Sequence, residues 1–327
     1  MKAILVKQPG GAEQLILGEY EEPTPAANQL LVKVHATALN RADILQREGK
    51  YPPPQGASPL LGLEIAGEVT ALGADVTKYN IGDKVFGLLP GGGYAEYAVI
   101  DEGMAMSVPD NLSMEAAAAI PEVFLTAFQA LVWLAKLQSG ERVLVHAGAS
   151  GVGTAAIQLA KQMGAEVLVT ASAEKHQTCI SLGAAKAIDY KQQSFKDEVL
   201  KYTNGEGVDV IIDFIAGPYF KDNIDCLRTD GRLIILASLG GGKVEAFDLR
   251  KVLAKRLHIM GSTLRSRTRE YQIALTKDLS NFALNKFRNG TLKPVIDSVY
   301  DWQDVAEAHS YMEQNRNTGK IVLRVEV

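Results

Sequence analysis

Val143-Leu144-Val145-His146-Ala147-Gly148-Ala149-Ser150-Gly151-Val152-Gly153-Thr154 passes from an apolar strand through a glycine-rich turn directly into a helix. Glycines let backbone amides approach a pyrophosphate closely, and the helix start supplies the positive end of a dipole. Set against G-x-G-x-x-G, the glycines are Gly148 and Gly153, with Ser150 in the middle place. By itself such a motif also describes a tight βα turn that binds nothing. Its surroundings separate the two readings. From about 122 to 264, strand-like runs at 142–147, 166–171, 187–190, 208–215, 232–237 and 258–263 alternate with helix-like segments. Runs such as Val208-Asp209-Val210-Ile211-Ile212 suit strands buried on both faces. The spacing therefore predicts an α/β fold with a doubly wound parallel sheet.

Working outward, the chain up to about 121 consists of short strands broken by Pro52-Pro53-Pro54, Gly82-Asp83 and Gly91-Gly92-Gly93, with a helix expected over 41–49. That rhythm fits a small, partly open β-barrel. Residues 265–327 read as a long helix over 270–288, a strand over 295–300, a helix over 302–316 and a last strand over 320–325. One short tail with so little strand is a thin core alone. The expected domains are thus 1–121 with 265–327, and 122–264 between them.

Composition sets the outer limits. The 327 residues carry 34 basic and 38 acidic side chains, a net charge of −4 that argues against a nucleic-acid surface. Glycine, at 30 residues, is the one enriched type, and the turns use it. Only Cys179 and Cys226 are present, too few and too far apart for a cysteine zinc site. The start, with Lys2 and Lys7 around a short apolar run, reads as a strand and not as a secretion signal. No uninterrupted apolar run approaches the ~18 residues of a membrane span, so a cytoplasmic protein is expected.

Nucleotide choice turns on the tip of the second strand, Val169-Thr170-Ala171-Ser172-Ala173-Glu174-Lys175. An acid there would hold the ribose diol of NAD, whereas Ser172 and Lys175 suit a 2′-phosphate. NADP is favoured, with Glu174 expected to point into the following helix. Lys175 could equally be a solvated first-turn lysine. Tyr190, ending the third strand, stands near the adenosine side or packs in the core. His35, His146, His176, His258 and His309 show no metal spacing. The cluster Arg265-Ser266-Arg267-Thr268-Arg269 reads as a solvated loop, with contact to phosphate, substrate or a partner subunit as the alternative.

Asn40-Arg41-Ala42-Asp43, Gly62-Leu63-Glu64, Leu89-Pro90-Gly91-Gly92-Gly93-Tyr94-Ala95-Glu96-Tyr97, Ala117-Ala118-Ala119-Ile120-Pro121, the 146–158 turn and Asn317-Thr318-Gly319-Lys320-Ile321-Val322-Leu323 together carry a resemblance. From end to end the chain resembles zinc-free medium-chain dehydrogenases/reductases of the quinone oxidoreductase, or zeta-crystallin-like, group. That resemblance implies a GroES-like barrel built from both chain ends, a Rossmann domain between, and a homodimer joined near 244–247. It implies NADP contacts from Asn40, Tyr51, Thr126, the 148–153 turn (Gly148, Ala149, Ser150, Gly151, Val152, Gly153), Ser172, Lys175, Tyr190, Leu239, Leu264 and Asn317. Tyr51 and Asn40 become the catalytic candidates, although Tyr51 could be a plain loop aromatic and Asn40 a helix cap. The zinc ligands of the metal-dependent branch fall on Asn40, Leu63 and Glu122, which cannot reproduce a Cys-His-Cys set. The implied substrate is a quinone; another activated double bond, or NADPH binding without catalysis, are the competing readings.

Overall fold

The alternation around the glycine turn resolves, in a computed structural model whose described residues are 1–325, into six parallel strands. They are β1 (Arg142–Val145), β2 (Glu166–Ala171), β3 (Lys186–Asp189), β4 (Val208–Asp213), β5 (Leu227–Ile235) and β6 (His258–Gly261). Their order is β3-β2-β1-β4-β5-β6, that of a doubly wound dinucleotide-binding sheet. The register places Leu168, Leu144, Ile211, Leu233 and Ile259 in one row across the sheet. All six residues of β4 are buried, as a central strand covered on both faces requires. At the opposite extreme, β6 leaves His258, Ile259 and Gly261 exposed at the sheet edge.

Two strand boundaries differ from the sequence expectation for local reasons. β1 ends at Val145, because Ala147 takes a left-handed backbone (φ 48°) that no strand continues through. β5 begins five residues early, at Leu227, where an irregularity between Val208 and Val210 shifts its pairing with β4.

The second compact unit joins residues 1–125 to the chain from Arg265 onward, leaving Thr126–Leu264 as the nucleotide-type unit. The division falls four residues past the sequence boundary, inside the helix Pro121–Phe128. The barrel's long strand, Gln29–Ala38, pairs antiparallel with Glu64–Leu72, with Tyr97–Asp101 and with Lys320–Arg324, the last alongside Ile296–Asp301. Both ends of the chain thus share one sheet. Arg47, fully buried on the helix Arg41–Arg47, locks them further. Its Nε donates to Gly10 O at 3.0 Å, Nη1 to His309 Nδ1 at 3.2 Å and Nη2 to Glu313 at 2.6 Å. Since arginine only donates, His309 carries its proton on Nε2 and donates it to the Tyr94 hydroxyl, 3.2 Å away.

One sequence reading needs correction. The helical stretch Met114–Leu134 is long and apolar enough to cross a membrane by length and composition. Glu115, Glu122 and Pro121 interrupt it, which is why no continuous run stood out. Its most apolar window is 72% buried inside the fold, the state of a core helix.

Candidate active site

In the nucleotide-type unit, the turn after β1 is shaped by contacts that admit no side chains. A Cβ on Gly153 would lie 2.3 Å from Ala147 O and 2.7 Å from Gly148 C. A Cβ on Gly148 would meet the Val169 side chain of β2 at 2.6 Å. Gly153 is thus required by the turn's own backbone, whatever binds there. Ser150 caps the helix Gly151–Gln162, its Oγ accepting from Gly153 N at 3.1 Å. That cap fixes the helix start at Ala149-Ser150-Gly151-Val152 and presents its dipole end as an anion site.

At the tip of β2, Ser172 is buried and its hydroxyl donates to Glu174 at 2.6 Å. Glu174 therefore turns back to the strand tip rather than into the following helix. The short turn Ala173–Lys175 brings the two side chains together. That hydrogen bond, more than any other influence, lowers the pKa of the exposed Glu174. Lys191 Nζ approaches the same carboxylate at 3.9 Å, and Lys175 stands half-buried beside it in sequence. Tyr190 lies just past β3 and is 46% exposed; Leu239 is also exposed, while Leu264 is buried. The Thr126 hydroxyl is buried without a hydrogen-bond partner. His146 is a packing residue, held by Thr170 at 3.0 Å and Asn223 at 2.7 Å.

The barrel unit holds a buried ionic cluster that the sequence did not announce. Lys320 Nζ contacts Glu64 Oε1 at 2.8 Å, Leu39 O at 2.6 Å and Asn40 Oδ1 at 2.7 Å. Asn40 Nδ2 donates to Glu64 Oε1 at 2.9 Å, so both ends of the Asn40 amide are engaged. Asp43 accepts from Asn40 N and Gly62 N at 2.8 and 3.0 Å, yet burial still pushes its pKa up to about 6. The other Glu64 oxygen accepts from Glu122 N at 2.8 Å. Glu122 is half-buried as a residue, but its Oε2 is buried with no partner. Burial first, then the neighbouring Glu64 charge, lift the Glu122 pKa to about 8.

Tyr51 is half-buried, and burial raises its phenol pKa. The Arg265 guanidinium stands over its ring, 5.4 Å from the centroid. Arg265 is only 6% exposed, which overturns the solvated-loop reading of 265–269 at its first position. Asn317 is elsewhere in this unit, donating to Gly319 O at 2.8 Å. Asn40, Tyr51 and Glu122 are thus joined in one unit by groups that spacing did not reveal: Glu64, Lys320 and Arg265. For the first two a signal existed. Opposite charges open two strands whose following residues are apolar.

Residues 26–110 match the alcohol dehydrogenase GroES-like domain, and residues 151–279 the zinc-binding dehydrogenase domain. A human quinone oxidoreductase is 34% identical over 99% of this chain and 97% of its own length. The chain belongs to the medium-chain dehydrogenase/reductase family. Among solved members, an Escherichia coli quinone oxidoreductase complexed with NADPH is 27% identical at a TM-score of 0.89, covering 99% of this chain and 100% of that one. An enoyl reductase is 31% identical at 0.88, with 99% of each chain covered. The family binds a nicotinamide cofactor, and the 148–153 turn with its capped helix fits that cofactor's pyrophosphate.

Zinc, which the second domain's description implies for this family, does not fit the residues present. Asn40 Oδ1 already accepts from an ammonium, Leu63 has no donor atom, and Glu122 retains its proton at neutral pH. Among the described residues, no group of three or more His, Cys, Asp or Glu is placed to hold a metal.

Proposed function

We propose that this family member reduces quinones by direct hydride transfer from NADPH, without zinc. The observation that carries the reading is the donor set where metal-dependent relatives bind their Lewis acid: an occupied amide, a leucine and a protonated carboxyl. Such a site cannot polarise an ordinary carbonyl or lower an alcohol's pKa. It suits an acceptor that is already electrophilic. Bound NADPH supplies the hydride. The chain's own part is to hold and orient: the 148–153 amides and helix start take the pyrophosphate, and Lys175 and Ser172 take the 2′-phosphate, for which the Ser172 hydroxyl gives up its bond to Glu174. Tyr51 offers a flat face to a planar acceptor. Rate enhancement then comes chiefly from proximity and orientation.

Reduction of a 2-enoyl or enone double bond is the second reading. It is favoured by the 31% identity to an enoyl reductase and by a mycobacterial polyketide synthase subunit, 31% identical over 98% of this chain and 14% of its own length. Both substrates are small, electron-poor and conjugated. A panel of quinones, enals and enones assayed for NADPH oxidation separates them. With 4-deuterated NADPH an enone product keeps the label on carbon. Lys175→Ala should weaken NADPH roughly 10-fold or more while barely touching NADH. Equal wild-type affinity for the two nucleotides would count against NADP. We also propose a homodimer joined near Val244–Phe247, close in sequence to Leu249 and Leu253, which are 73% and 79% exposed, and sedimentation would give the stoichiometry. The two cysteines stand free and buried, which suits the cytoplasmic location proposed here.

A further inference from the structure

Arg265 is a buried cation whose best donors are idle. Its Nε donates to Pro90 O at 2.8 Å. Nη1 and Nη2 are both buried and have no hydrogen-bond partner. Orphaning charged donors away from water is costly, so a fold that does so has a further use for them. The two nitrogens form a rigid fork whose N–H bonds can converge on one acceptor oxygen. On one flank lies Gly91, where a Cβ would come 3.4 Å from Nη2 and closer still to the Ser58 and Leu60 carbonyl oxygens, at 2.7 and 3.1 Å. The other flank is the Tyr51 ring. The acids that act on the guanidinium are Asp43 and Glu122, neither of which hydrogen-bonds to its Nη atoms. A resident anion such as phosphate would have to lie beside the Asp43 carboxylate. An oxygen that is neutral at rest and becomes anionic only during reaction avoids that repulsion.

We propose that Arg265 is a catalytic residue that receives, on Nη1–H and Nη2–H, the carbonyl oxygen of an acceptor stacked on Tyr51. The proposal rests on the reductase reading above and adds the site of the acceptor's oxygen. As the β-carbon of an enone gains hydride, its π electrons shift onto the carbonyl oxygen, giving an enolate; with a quinone the hydride goes to the far carbonyl oxygen and the ring electrons shift onto the near one, giving a phenolate. The guanidinium neutralises that charge as it forms. A proton from water then completes the ketone or hydroquinone, so the acceptor is reduced by two electrons and the reduced nicotinamide is oxidised by two.

The test uses the full chain with Arg265→Met and Arg265→Lys, after melts confirm folding. With benzoquinone and cyclohexenone, kcat/KM should fall about 100-fold or more in Arg265→Met, and about 10-fold in Arg265→Lys, which keeps the charge but loses the fork. NADPH affinity, read by nucleotide fluorescence, should stay within about two-fold, since the donors face the acceptor. A second readout needs no turnover. 4-Nitrophenol bound to the wild type should ionise about one pH unit below the free phenol, and in Arg265→Met it should not. Retained kcat/KM in either variant, or a loss of NADPH affinity matching the loss of rate, would overturn the proposal. Should the wild type reduce no quinone or enone, the reductase reading fails by itself. The nitrophenol titration then decides alone whether Arg265 takes an oxyanion, an unshifted phenol refuting it.

Discussion

Glu122 holds a proton that the unfolded chain would surrender. Its pKa rises from 4.5 to about 8, so between those values the folded state binds one proton more than the unfolded state. Stability from this group is complete below about pH 4.5, falls by up to ~1.4 kcal/mol per unit as pH rises, and levels off above about 8. Glu122→Gln should remove that slope. Urea melts at about pH 5 and about pH 8 would show it, and an unchanged difference between them would place the proton elsewhere. At this scale the sequence was only partly legible. Tyr51 and Asn40 were reached through the family resemblance, while their spacing alone also fitted a loop aromatic and a helix cap. Arg265 was noticed only as part of a charge cluster, because no spacing distinguishes a buried arginine from a solvated one. Glu174 was read in the wrong direction, since one hydrogen bond to Ser172 decides where it points.

Among the elements, the turn between β1 and its helix is the most demanding. Gly153→Ala would press a methyl against Ala147 O and Gly148 C, both backbone atoms that cannot rotate away. The turn must open, at a cost of about 1–3 kcal/mol by analogy with overpacked cores. Nucleotide affinity should fall with it, because the amides that face the pyrophosphate move together. Calorimetry beside a nucleotide titration checks both; an alanine variant that melts and binds as the wild type does would mean the turn yields freely. Strands and helices of this unit were readable because apolar runs and capping residues such as Ser150 and Ser194 act over a few neighbours. Their exact ends were not. A left-handed Ala147 or an irregular pairing between β4 and β5 is fixed by contacts across the sheet.

For the whole molecule, Arg47 is the clasp between the early helix and the late one. Arg47→Met should remove the bonds to Gly10, His309 and Glu313 together, leaving buried acceptors unmatched, and destabilise the fold by about 3 kcal/mol. Glu313→Gln, at a side chain that is itself partly solvated, should cost about 1 kcal/mol or less. Equal losses for both variants would mean that the ion pair, and not the buried contacts, dominates. The discontinuous barrel was foreseeable from a tail too thin to form its own core. Which residues close it was not, since Arg47 and His309 lie 262 positions apart.

That closure has a consequence for synthesis on the ribosome. Ala36–Ala38 pair with Val322 and its neighbours along one edge, so that edge of the barrel's long strand has no partner until the tail emerges, although the other edge pairs with Glu64–Leu72. The intervening unit, 126–264, is 264 − 126 + 1 = 139 residues. At ~5–20 residues per second its translation alone takes roughly 7–28 s. Throughout that interval the nucleotide-type unit can fold behind an unfinished barrel, whose strand edge is open to any passing chain. The nascent protein is therefore most vulnerable to aggregation before its last strand is made, and a stalled ribosome anywhere beyond Leu125 would prolong the exposure.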